Sequence, residues 1–77
     1  MDFGEAFRIM KAGGAVQRGV WGTFAHVPHE YHHIRLSDPD GLYGQHFVAV
    51  LNDGTPALFE LTHWQVFAED WKEHTGP

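Results

Sequence analysis

Among the apolar side chains of the first dozen residues, Phe3, Ala6, Phe7 and Met10 repeat at the i, i+3, i+4, i+7 spacing of one helix face. Asp2 stands before them and Glu5 three positions after it, the arrangement in which a capping box satisfies orphan amides. Arg8 and Lys11 occupy the last turns, where positive charge suits the helix dipole, and Gly13-Gly14 ends the segment. The pattern predicts a helix over about residues 3–12. Beyond it the period shortens. Ala15 to Arg18 reads as a brief strand, and Gly19 and Gly22 bracket Val20-Trp21 at a change of direction. Thr23 to Val27 reads as a second strand closed by Pro28. Residues 29–44 show no clean period and contain the turn signal Asp38-Pro39-Asp40-Gly41. Gln45 to Leu51 is the strongest strand, β-branched and aromatic without a breaker. Asn52-Asp53-Gly54-Thr55 is a hairpin turn by composition, and Pro56 to Leu61 the returning strand. Thr62 and Gln65 repeat the capping-box spacing and predict a single helical turn. Ala68 to Lys72 reads as a last strand, with residues 73–77 frayed.

These elements predict an α+β fold: one N-terminal helix packed on a small antiparallel sheet, in a single domain spanning residues 1–77. Phe3, Phe7, Met10, Val48, Val50, Phe59 and Phe67 are expected largely inside or at an interface, with Trp71 packing beside them. A chain of this length buries only about 60% of its unfolded surface. With no cysteine, disulfides cannot compensate. Dense aromatic packing and oligomerisation remain. Three Trp, six Phe and two Tyr supply the first, and a homo-oligomer of at least two copies is expected for the second.

Charge narrows the choice of partners. Five basic against ten acidic residues leave a formal net charge of −5. That argues against a DNA or RNA polymer, whose affinity rests on many Lys/Arg–phosphate contacts, yet leaves room for a small anion in a local basic pocket. No apolar run approaches the ~18 residues of a membrane span, and no secretory signal pattern is visible, so a cytoplasmic protein is expected.

Trp21, set between glycines and beside Arg18, has two readings. It can stack on a purine while Arg18 grips a phosphate, or it can be a core residue closing the gap between helix and sheet. Trp64 poses the same choice on its capped turn. Arg18 and Arg35 are the basic residues outside the first helix and the C-terminal tail, hence the phosphate candidates. His29, His32 and His33 with Glu30 invite a metal reading. In a regular extended segment, however, His32 and His33 point to opposite faces, so no metal site is expected. His26, His46 and His63 stand isolated, expected to partner backbone or carboxylate groups. Ser37 lacks a nucleophile-elbow context, Glu69 and Asp70 diverge on a strand, and no glycine-rich loop precedes a helix. No catalytic residue and no cofactor are expected. The three classes left open are a ligand-binding module, a structural or protein-interaction domain, and a histidine-dependent nucleotide hydrolase.

Four blocks carry a resemblance. They are Phe3-Gly4-Glu5-Ala6 with Met10-Lys11, Val16-Gln17-Arg18-Gly19-Val20-Trp21, Asp53-Gly54-Thr55, and Phe67-Ala68-Glu69-Asp70-Trp71. In that order the chain resembles the small phage proteins of the Thoeris anti-defence protein 2 family. It departs from them where Val20 separates Gly19 from Trp21, and where Pro56-Ala57-Leu58-Phe59 replaces a Pro-Trp pair. The histidine-rich middle matches no part of the pattern. The resemblance implies a helix-plus-sheet homotetramer without enzymatic activity. Such a protein binds glyco-cyclic ADP-ribose signals, and in some relatives cyclic oligonucleotides, and holds them unchanged so that the host effector is never activated. Trp21, Arg18, Arg35 and Trp64 are the ligand-binding residues expected on that reading.

Overall fold

A computed structural model of the chain describes residues 1–42 and 44–76. Tyr43, within the stretch read as aperiodic, and Pro77, within the tail read as frayed, lie outside the described residues. The element order is α1 (Phe3–Lys11), β1 (Ala15–Arg18), a 3-10 turn (Gly19–Phe24), β2 (Tyr31–Leu36), β3 (Phe47–Leu51), β4 (Pro56–Leu58), α2 (His63–Val66) and β5 (Trp71–His74). The five strands form one antiparallel sheet in the order β4-β3-β2-β1-β5. This is the expected α+β architecture, with the last strand returning beside the first.

Helix α1 begins as its sequence requires: the Asp2 carboxylate accepts from the Glu5 N–H at 2.9 Å. Its buried face, Ala6 and Met10, lies on Val16, Ile34, Ala49 and Trp71. Residues paired across an antiparallel ladder share a face, and the register aligns Val16, Ile34, Ala49 and Ala57 on this inner side. Phe3, Phe7 and Phe47 meet edge-on or tilted at 6.0–6.2 Å and complete the packing.

The segment read as a strand from Thr23 to Val27 is not one. It runs through the 3-10 turn and further tight turns, with Ala25, Val27 and Glu30 N–H groups bonded three residues back. The reason lies across the molecule. Asn52 Nδ2 donates to the carbonyls of Phe24 and Val27, both at 2.8 Å, and the Asp53 N–H donates to Pro28 O. Backbone acceptors that a ladder would use are therefore taken by the β3–β4 turn.

The central strand β2 lies in the stretch that showed no period. Tyr31 pairs with Leu51 but His33 pairs with Val50, so His32 is an inserted bulge residue. A bulge shifts the two-residue alternation by one. Tyr31, Ile34 and Leu36 consequently pack on the core at spacings of three and two, which conceals the strand. The terminal elements shift as well. β4 ends at Leu58 and β5 begins at Trp71. Phe67, expected in the core, caps α2 and is 79% exposed. Glu73 and His74, read as frayed, belong to β5.

Candidate functional site

The two ends of the chain join on the inner side of the sheet. Arg18, at the end of β1, pairs through Nε with the Asp70 carboxylate. The other carboxylate oxygen accepts from Val20 N–H at 3.1 Å, and the Asp70 carbonyl accepts from Gly19 N–H at 2.8 Å. A Cβ on Gly19 would stand 3.3 Å from that carbonyl oxygen, which explains the glycine here. Burial alone would raise the Asp70 carboxyl; the bonds from Arg18 and Val20 and the Arg18 charge outweigh it and hold it below the usual carboxylate range. Trp71, 1% exposed, packs edge-on against Phe3 at 5.4 Å and Trp21 at 5.7 Å. Its indole N–H donates to Gln65 O at 2.8 Å, and the Arg18 guanidinium lies 5.8 Å from its ring. The two sequence blocks that were read separately are therefore one clasp.

Within the chain itself, Trp21 and Arg18 are already engaged. Trp21 is 9% exposed and its ring is surrounded by Tyr31, Phe59 and Trp71, so it is not a free stacking platform. The Arg18 side chain is taken by Asp70. Among the described residues the other two candidates have no comparable engagement. Trp64 is 74% exposed on α2, with the His63 ring 4.3 Å away. Arg35 is exposed on β2, and its pairing with Val48 puts it on the outer side of the sheet, opposite the Arg18 side. The structure thus brings Arg18 and Trp21 together at the clasp and leaves Arg35 and Trp64 on separate surfaces.

The outer side of the sheet differs from the inner one. α1, the 3-10 turn through Trp21, and the residues flanking α2 all pack from the inner side. The register gives the outer side an apolar half, with Val48, Val50, Pro56 and Leu58, the last 80% exposed. Its other half is polar and carries Gln17, His33, Arg35, Lys72 and His74.

Sequence reasoning missed a histidine group in this polar half. The bulge places His32 and His33 on one face, not opposite faces, with Nδ1 atoms sharing a hydrogen bond at 2.8 Å. His74 of β5 stacks on His33 at 4.2 Å between centroids and 8° between planes. Burial first, then the neighbouring His74, His32 and Arg35, lowers His33 from 6.5 to about 4. His74 Nδ1 lies 3.0 Å from Gln17 Oε1. Its Nε2 is buried with no hydrogen-bond partner among the described residues. His46 is satisfied as expected, contacting Gly44 O and Ser37 Oγ at 3.0 Å, while His29 stands apart near Asp53. No sequence signal paired residues 32 and 33 with residue 74; adjacency of β5 to β1 does so.

A single long helix over an antiparallel sheet, with the two chain ends clasped beneath it, defines a small α+β domain. The domain profile described as Thoeris anti-defense 2-like matches residues 1–74, and the chain belongs to that family, with a role in defeating Thoeris defence. No curated protein matches the chain.

Proposed function

We propose that the protein acts by binding a cyclic nucleotide-type immune signal, of the glyco-cyclic ADP-ribose class, and sequestering it chemically unchanged. Family membership across residues 1–74 carries this reading. The exposed pair Trp64 and Arg35 supplies the chemistry: an indole face for a base and a guanidinium for a phosphate.

Magnitudes then require more than one copy. Capture at nanomolar concentration needs about −12 kcal/mol. One stacked base contributes about 1–3 kcal/mol and one charge-assisted phosphate contact about 1.5–3 kcal/mol. A single chain, with Trp64 and Arg35 on separate surfaces, falls well short. A homotetramer, in which α2 helices and outer sheet sides of different copies wall a shared pocket, brings two indoles and two guanidiniums to one ligand, about 5–12 kcal/mol together, and covers Leu58 and Phe67. Cyclic oligonucleotides of other antiphage systems offer the same two chemistries, so the pocket extends to them.

The test uses the full chain and a cyclic ADP-ribose isomer. The protein is incubated with sub-stoichiometric ligand, filtered, denatured, and the released material chromatographed. Depletion from the filtrate with recovery of intact ligand is expected. A converted product identifies a nucleotide hydrolase instead, and no depletion leaves an interaction domain; either result overturns the proposal. Light scattering should give a mass several times the chain's 8.7 kDa.

A further inference from the structure

We propose that His32, His33 and His74 form a site for one divalent transition-metal ion of the zinc class. The inference is independent of the nucleotide reading and rests on five observations from one corner of the outer sheet side.

The first is convergence. One ring nitrogen from each histidine lies within 4.8 Å of the others, although the rings come from β2 and β5, two strands that do not touch each other in the sheet. The second is how convergence arises. Adjacent strand residues ordinarily diverge, and a β-bulge spent at His32 turns both side chains to one face. Bulges re-aim side chains next to functional sites.

The third observation is the supporting shell. A ligating histidine characteristically gives its other ring N–H to an oxygen acceptor, which fixes the tautomer and orients the ring. Gln17 Oε1 stands in that relation to His74 Nδ1, at 3.0 Å. With Nδ1 as donor, His74 Nε2 carries the lone pair. The fourth is that this same Nε2 is buried and has no hydrogen-bond partner among the described residues. A buried polar atom left unmatched in a folded protein calls for an unseen water or ion, and a cation answers it directly.

The fifth is the short contact between His32 Nδ1 and His33 Nδ1, 2.8 Å. Two nitrogens at that separation share one proton, and a cation bound to both moves it to the far nitrogen of its ring. Zn–N bonds of about 2.0–2.1 Å in a tetrahedron set neighbouring nitrogens about 3.3–3.4 Å apart. Small ring rotations, opening the 2.8 Å pair and closing the wider separations within 4.8 Å, reach that geometry. An all-imidazole donor set selects zinc, copper or nickel over magnesium and calcium, which require oxygen. Three protein ligands leave a fourth position for water or an anion, with the Arg35 strand at hand.

The test takes the untagged full chain, stripped with EDTA, and titrates it with zinc(II) against a chromophoric chelator. One ion per chain is expected. Zinc should move the imidazole nitrogen chemical shifts of His32, His33 and His74, and not those of His26, His29 or His63, a readout that needs no mutation. H33A and H74A should each lower affinity at least about tenfold, and Q17A about 10–100-fold, with circular dichroism showing a retained fold; H63A should bind as the parent does. Absence of saturable zinc binding overturns the proposal, as does zinc perturbing other histidines instead. Should a variant fail to fold, the nitrogen shifts of the parent decide the matter alone.

Discussion

The two sides of the sheet solve opposite problems. The inner side is closed: the clasp between Arg18-Gly19-Val20-Trp21 and Asp70-Trp71 satisfies its polar groups and buries both indoles. The outer side is open: Leu58 is bare, Arg35 is exposed, and one nitrogen of His74 has no partner among the described residues. Of the blocks that carry the family resemblance, Arg18, Trp21, Asp70 and Trp71 lie on the closed side and hold the fold together, whereas Gln17 faces the outer one and meets His74 there.

The sharpest way to break that comparison is to truncate one tryptophan from each environment. Trp71→Ala removes a fully buried ring and should cost about 3–5 kcal/mol, enough to unfold a domain this small in thermal or urea melts. Trp64→Ala should change stability by no more than about 0.5 kcal/mol while weakening captured ligand by about 1–3 kcal/mol, read by calorimetry. A folded Trp71→Ala, or an unfolded Trp64→Ala, would reverse the assignment of the two sides.

A smaller effect tests the clasp itself. Asp70→Ala leaves Arg18 and the Val20 N–H without their partner and should cost about 1–2 kcal/mol, tempered by partial solvent access. Because the folded carboxyl lies below its ordinary value, its contribution is fully present above the unfolded pKa and is lost as pH falls through the lower folded one. The parent and Asp70→Ala urea midpoints should therefore converge in strong acid.

The outer side titrates in a different window. His33 is lowered to about 4 from 6.5, so between those values the unfolded chain binds the extra proton and stability falls as pH falls. With EDTA present, the parent's urea midpoint should drop from pH 7 to pH 5 more than that of His33→Gln. Equal slopes would show that His33 is solvated like a free histidine. The smallest folding effect is expected at Leu58: Leu58→Lys should alter chain stability by within about 0.5 kcal/mol yet lower the oligomer mass in light scattering. An unchanged mass would free the apolar half of the outer side from any interface.

Local signals in the chain were sufficient for the elements whose bonds close within a few residues. The Asp2 half of the α1 cap formed, its carboxylate accepting from Glu5 N–H, and so did the Asn52–Thr55 hairpin turn, where the Asp53 carboxylate accepts from Thr55 N–H at 2.9 Å and Gly54 takes a φ of +88°. Gln65 likewise reaches back to the Thr62 N–H at 2.9 Å. Local composition between breakers also sufficed for β1 and β3, and the order of elements for the α+β class. Tertiary structure alone decided the rest. Whether Trp21 stacks or packs depended on Trp71, fifty residues away along the chain. The strand β2 was hidden because its bulge breaks the alternation on which strand reading depends. Phe67 looked like core but caps α2 in the open, since hydrophobicity names a preference for burial and not the neighbour that provides it. The histidine group required β5 to return beside β1, a long-range pairing whose loop-closure entropy is repaid by the whole sheet and leaves no mark in the local sequence.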